Sequence, residues 1–79
     1  MELIISQPDK TIFKGEIDSV NLPGTIGKFS VLKSHAPMIS TLGPGIIRYT
    51  VSKNGEEFSL KINGGFVSIK RDVVKICAE

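Results

Sequence analysis

Apolar side chains recur at every second position along most of this chain. Ile47, Tyr49 and Val51 alternate with Arg48, Thr50 and Ser52, and Phe58, Leu60 and Ile62 alternate with Glu57, Ser59 and Lys61. A period of two sends successive side chains to opposite faces of an extended strand, one dry and one wet. Between these runs lies Asn54-Gly55, a dipeptide that readily supplies two consecutive positive φ angles. The pattern predicts a tight two-stranded hairpin there.

The same grammar extends in both directions. Val67 and Ile69 alternate with Ser68 and Lys70, and Val74 and Ile76 alternate with Val73, Lys75 and Cys77, with Arg71-Asp72 as the polar turn between them. Asn63-Gly64-Gly65 separates this second hairpin from the strand before it. Upstream, residues 2–6 form a strand closed by Pro8-Asp9, residues 11–15 another, and residues 17–22 a third that breaks at Pro23-Gly24. Residues 27–32 place Phe29 and Val31 on one face, and residues 38–42 end at Gly43-Pro44-Gly45. No eleven-residue window carries apolar residues at i, i+3, i+4 and i+7 without an interrupting glycine or proline, so no helix is predicted. Eight or nine short strands separated by frequent turns imply a sandwich or flattened barrel, an arrangement that also hides sheet edges from other chains. Internal repeats, linkers and low-complexity stretches are absent from the pattern.

Length sharpens this picture. At 79 residues the chain has room for one domain. Surface scaling predicts about 12,500 Å² unfolded and ~4,700 Å² folded, enough burial for one modest core. Net charge is +2, too small by itself to argue for a nucleic-acid or anionic-membrane partner. One cysteine and one histidine, Cys77 and His35, exclude an intrachain disulfide and a multi-cysteine zinc site. The longest uncharged stretch, residues 34–47, holds two prolines and two glycines and cannot span a bilayer as a helix. Glu2 follows Met1 and the apolar run ends at Ser6, so no signal peptide is expected.

The candidates for chemistry are few. Ser34-His35 lies in the irregular segment 33–37, yet no carboxylate stands in that segment to orient a nucleophile–base pair, so a loop histidine bonded to backbone or partner is the better reading. Gly24-Thr25-Ile26-Gly27-Lys28 invites comparison with a phosphate loop, but two residues separate its glycines, Phe29 follows the lysine and a strand comes next. Glu56-Glu57 sits on a strand, where neighbouring side chains point apart. Lys70-Arg71 and Lys28 with Lys33 read as solvated faces. Three of the five aromatics fall at apolar strand positions, which favours core over a base-stacking platform. An enzyme is disfavoured and an interaction module favoured. Segments 33–37 and 23–27 are expected at one end of the sandwich, and Ala36-Pro37-Met38-Ile39 offers small and apolar groups held by proline, with little entropy to lose on docking.

The order of motifs is specific. Phe13-Lys14-Gly15, Gly24-Thr25-Ile26-Gly27, Ser34-His35-Ala36-Pro37-Met38, Pro44-Gly45-Ile46-Ile47-Arg48, Glu57-Phe58, Asn63-Gly64-Gly65-Phe66-Val67 and Val73-Val74-Lys75-Ile76 follow one another in a single register. Across residues 1–79 the chain resembles the N-terminal β-domain of the ε subunit of F-type ATP synthases, called δ in mitochondria. The resemblance implies a single all-β domain, a flattened ten-stranded antiparallel β-sandwich or barrel. It implies a non-catalytic rotor part of the central stalk, without cofactor or metal, that couples the γ subunit to the membrane ring of c subunits during proton- or sodium-driven ATP synthesis. Lys28, Phe29 and His35 are the implied ring-facing residues, and His35, Ala36, Pro37 and Met38 the implied γ contacts. Lys28 stands where the family often has an acid, and Ser34 where it usually has glycine.

The resemblance further implies a peripheral location, reached through the complex, on the cytoplasmic face of a bacterial inner membrane, with no nucleic-acid partner and no homo-oligomer. The family usually continues into a C-terminal pair of helices, whereas this sequence stops at Glu79; a naturally short subunit is the expectation. Two other classes compete. A biotinyl- or lipoyl-like carrier domain would be modified at Lys53 beside Asn54-Gly55, though the usual Met-Lys-Met or Asp-Lys-Ala surroundings are missing. An oligonucleotide-binding barrel would need more charge and more exposed aromatics.

Overall fold

A computed structural model describes all 79 residues. It contains eight strands and no helix: β1 (Glu2–Gln7), β2 (Lys10–Pro23), β3 (Lys28–Leu32), β4 (Met38–Leu42), β5 (Gly45–Val51), β6 (Glu57–Ile62), β7 (Gly65–Lys70) and β8 (Val73–Ala78). They form one sheet in the order β4-β7-β8-β1-β2-β5-β6, with β3 paired to β2 off this path.

The sheet curls because β2 serves both halves. Its first part pairs with β1, its second with β3 and β5, and the register with β5 shifts between Ile17 and Ser19. A bulge bends a strand and increases its twist. Here it carries the chain from the β4-β7-β8-β1 half onto the β3-β5-β6 half, so that the two halves face each other. A bridge between Gly24 and Leu42 ties the far end of β2 to the end of β4.

Fifteen apolar side chains fill the space between the halves. Leu3 and Ile5 of β1, Val67 and Ile69 of β7, and Val74, Ile76 and Ala78 of β8 meet Val20 and Leu22 of β2, Val31 of β3, Ile47 and Tyr49 of β5 and Ile62 of β6. No charged side chain is buried among them, and Tyr49 is the one core residue whose side chain carries a polar atom. Burial of each large aliphatic group stabilises by about 1.5–3 kcal/mol, which is what turns the alternating pattern into a fold. The molecule is flattened, 28 × 25 × 19 Å. Its accessible surface of 5036 Å² slightly exceeds the ~4,700 Å² of the scaling rule, as a flat body requires.

The all-β class holds, and three details differ from expectation. Eight strands form where ten were implied. Residues 11–15 and 17–22, counted separately from the pattern, belong to one fourteen-residue strand. Gly15 and Glu16 keep their ladder partners Leu3 and Glu2, so the chain stays extended through the glycine. The pairing is not antiparallel throughout either: β1 and β8 run parallel, Glu2 opposite Val73 and Ser6 opposite Cys77. Pleat alternation is identical for both directions, so only tertiary structure reveals this. Finally, the hairpin at Asn54-Gly55 is looser than a two-residue turn. Val51 N–H bonds to the Glu56 carbonyl at 2.8 Å, leaving four residues in the loop, and only Gly55 takes a positive φ, of 71°. The second hairpin is the tight one, with Arg71 and Asp72 at φ of 51° and 62°.

Candidate partner-binding surfaces at the two ends of the sheet

One surface forms where β3 hands over to β4. Ser34 adopts a φ of 68°, and His35 N–H donates to the Leu32 carbonyl at 3.2 Å, which reverses the chain in a short turn. The imidazole folds back on its own backbone, Nδ1 lying 2.7 Å from the Ala36 carbonyl. A carbonyl oxygen only accepts, so Nδ1 carries the proton and Nε2 is the uncommitted ring atom. Ala36 precedes a proline and is therefore held in an extended conformation. Ala36, Pro37 and Ile39 are exposed, while Met38 is half-buried against the core. Met38 lies opposite Ile69 of β7, which places Lys70 and Arg71 beside this apolar edge.

The second surface is built on the turn between β2 and β3. Gly43 N–H donates to the Pro23 carbonyl at 2.8 Å and Thr25 N–H to the Thr41 carbonyl at 3.2 Å, and the hydroxyls of Thr25 and Thr41 share a 2.7 Å hydrogen bond. The turn is thus stapled to the end of β4. A Cβ on Gly24 would overlap the Gly27 carbonyl oxygen and crowd the Phe29 ring, so glycine is required for this close return. Ile26 at the tip is fully exposed. Lys28 stands exposed opposite Pro23, and Phe29 is half-buried with its ring on the core.

Lys28 and His35 therefore stand at opposite ends of β3. The strand steps from Lys28 to Leu32 alone span about 13 Å. The expectation that segments 33–37 and 23–27 share one end is not met, because a full strand separates them. The structure groups His35 with Ala36, Pro37 and Met38, and groups Lys28 and Phe29 with residues 44–48. A groove of about 580 Å³ lies at the Lys28 end and is lined by Asn21, Lys28, Ser30, Pro44, Ile46 and Arg48 among others. The sequence assigns no site role to Asn21 or Ser30, and Arg48 enters it only within the Pro44-Gly45-Ile46-Ile47-Arg48 motif. Each is simply the polar member of an alternating strand, and their adjacency depends on a register that no local pattern states.

Two ionisable groups depart from their ordinary values. Tyr49 is nearly buried, its ring 4.6 Å from Phe13 and 5.7 Å from Phe58, and desolvation raises its pKa above 10.0. The Met1 amine bonds to Glu16 at 3.0 Å and to Asp72 at 3.3 Å; the Glu16 hydrogen bond, supported by Asp72, raises its pKa above 8.0 against the opposing effect of burial. Neither group lies at the two surfaces just described. No three His, Cys, Asp or Glu side chains gather as a metal site. Cys77 and Lys53 are both exposed, the lysine within the loop that joins β5 to β6. No helix is long and apolar enough to cross a membrane.

These features define a small all-β domain whose distinctive groups sit on its ends and outer face. The chain belongs to the family of ATP synthase delta/epsilon chain β-sandwich domains, whose model matches residues 1–79. It is 38% identical over 80 residues to the ATP synthase epsilon chain of Leptospira interrogans, covering all of this chain and 61% of that one. It is 40% identical over 72 residues to the epsilon chain of Bradyrhizobium sp. strain ORS 278, covering 91% and 52% respectively. The chain thus spans between half and two-thirds of the length of these relatives. Among solved structures, it superposes with a TM-score of 0.88 on a chain of the Euglena gracilis mitochondrial ATP synthase, OSCP/F1/c-ring, at 27% identity over 96% of this chain and 48% of that one. A chain of the Tetrahymena thermophila central stalk/c-ring structure shares the fold, with a TM-score of 0.79 at 18% identity over 99% of this chain and 62% of that one. Family membership sets aside the carrier-domain alternative at Lys53.

Proposed function

We propose that this chain is the β-domain of an ε subunit in the central stalk of a rotary ATP synthase, where it joins the γ subunit to the ring of c subunits. The observation that carries this reading is the family match along the whole of residues 1–79, supported by the close superposition on a chain of an assembled ATP synthase. In this reading the domain does no chemistry. It works as a stiff adaptor, peripheral to the membrane through the complex and on the cytoplasmic face of a bacterial inner membrane, without cofactor, metal or nucleic acid and without self-association. A close-packed core transmits strain rather than absorbing it, which suits a part that must turn with its neighbours.

The two ends take different partners. The His35 end, with Ala36, Pro37 and Met38, meets γ, and the Lys28–Phe29 end meets the ring; the strand between them favours giving His35 to γ alone. The test is a titration of the purified subunit with its cognate γ subunit and c-ring, followed by reconstitution of the enzyme with and without it. Saturable binding to γ and loss of coupled ATP synthesis on omission are the expected results. A subunit that ignores γ, or a reconstituted enzyme equally coupled without it, overturns the reading.

A further inference from the structure

The outer face of the β3-β2-β5-β6 half carries a cluster of exposed polar groups of which only Ser30 and Asn21 bond to each other. Asn21 lies between Ser30 on one side and Arg48 on the other, Lys28 stands opposite Pro23, and Lys61 stands opposite Ile46. Asn21, Lys28, Ser30, Ile46 and Arg48 all line the open groove of about 580 Å³.

What this groove presents is chiefly donors. Lysine and arginine carry only N–H groups at their polar ends. Neither Lys28 nor Arg48 is paired, since the ion pairs of the chain are those of the Met1 amine. The Asn21 side-chain oxygen already accepts from the Ser30 hydroxyl, which leaves the amide hydrogens of Asn21 free. Positive charge and unspent donors call for an anionic acceptor. The surroundings say which kind. Pro23 and Pro44 flank the groove, Ile46 is 45% exposed, and Ile26 is fully exposed at the tip of the neighbouring turn. A lone inorganic anion would gain nothing from these aliphatic groups and would stay hydrated in so open a site. A polyanion needs a broader basic surface than a chain of net charge +2 provides. Arginine set among exposed aliphatic side chains is the composition of a protein–protein contact.

We infer that this groove receives a carboxylate-bearing loop of the ring, with an Asp or Glu side chain held between Lys28 and Arg48 and an apolar neighbour resting on Ile46 and Pro44. The inference rests on the reading that the Lys28 end faces the ring, and it names the chemistry of that contact. Asn21 supplies a further donor to the bound carboxylate, while Lys61 adds long-range attraction at the flank.

The experiment measures binding of the full-length subunit, in complex with γ, to the detergent-solubilised c-ring at two salt concentrations. K28E and R48E are each expected to weaken ring binding about tenfold and to flatten its salt dependence, with unchanged thermal midpoint and unchanged affinity for γ. K53E, in the distant β5–β6 loop, should leave all four readings as they were. Lysine in place of the acidic residue of the ring loop should restore binding to K28E and R48E. Undiminished ring binding by both variants overturns the groove assignment and leaves the proposed function standing, as does a ring whose polar loops carry no Asp or Glu. An unsubstituted subunit that fails to bind the ring overturns the ring-facing reading and this inference with it. Binding to phosphatidylglycerol vesicles or single-stranded DNA that K28E and R48E abolish, with ring binding intact, would give the groove to another anion and equally overturn it.

Discussion

Tyr49 shows how one buried side chain links the core to pH. Its phenol is desolvated by the packing of Phe13 and Phe58 against it, and its pKa lies above the ordinary 10.0. Below about pH 10 the phenol is neutral in both folded and unfolded chains and contributes no pH dependence. As pH rises past that point the unfolded phenol ionises first, so stability falls until the folded pKa is also passed. The Met1 amine acts over a lower range: its ion pairs stabilise fully below pH 8.0 and are lost as pH rises through the elevated folded value. Urea midpoints measured from pH 7 to 11 should decline in both windows. In Tyr49→Phe the decline above pH 10 should vanish, the earlier one should persist, and stability at pH 7 should change by no more than about 1 kcal/mol. An unaltered alkaline decline would place its origin elsewhere. Local rules made the inward position of Tyr49 legible, because it sits in phase with Ile47 and Val51. They gave no hint of Arg48 beside Asn21, since a polar residue on the wet face looks the same whether its neighbours are useful or not.

At the scale of the element, the Asn63-Gly64-Gly65 connection has the least freedom. Gly65 has a φ of 146°, and a Cβ there would overlap the Cys77 carbonyl oxygen on the neighbouring strand. Backbone strain and backbone overlap act together, and a β-strand locked between β4 and β8 cannot move to relieve them. Gly65→Ala should cost about 2–4 kcal/mol, visible in thermal melts as a drop of roughly 10–30 °C for a domain of this size. A melt within a few degrees of the parent would show that the ladder yields. The glycine pair was legible as a break between strands; the reason for it, the closeness of β8, was not. The same distinction explains β2. Gly15 reads as an interruption because an isolated glycine weakens a strand, yet ladder bonds to β1 carry the chain straight through it. It also explains the misplaced loops. Two segments joined by a single strand must lie a strand length apart, so the prediction of residues 27–32 as extended already contradicted placing segments 23–27 and 33–37 together.

For the whole molecule, separation of the two ends has a measurable consequence. If the His35 end meets γ and the Lys28 end meets the ring, their contacts are far enough apart to be independent, and their energies should add. His35→Ala with Met38→Ala should weaken γ binding by at least about tenfold, or ~1.4 kcal/mol, and leave ring binding unchanged. Strong weakening of both by that one pair would mean that the ends communicate or that the fold has been damaged, which the melting temperature distinguishes. Topology predicts the folding rate as well. Three of the seven strand pairings, β1 with β8, β2 with β5 and β4 with β7, join strands that are not neighbours in sequence. Refolding is expected on the millisecond-to-second scale typical of such β-folds; stopped-flow relaxation in microseconds would contradict it.

The parallel seam between β1 and β8 also bears on synthesis at the ribosome. Strand β1 must wait for β8, since Leu3 and Ile5 find their lateral neighbours Val74 and Ile76 only once residue 76 has cleared the exit tunnel. Translation proceeds at about 5–20 residues per second, so the nascent chain spends several seconds with one edge of β1 paired to β2 and the other unpaired. During that interval it is a natural client for chaperones that shield unpaired edges, and a slow codon late in the message would lengthen its exposure.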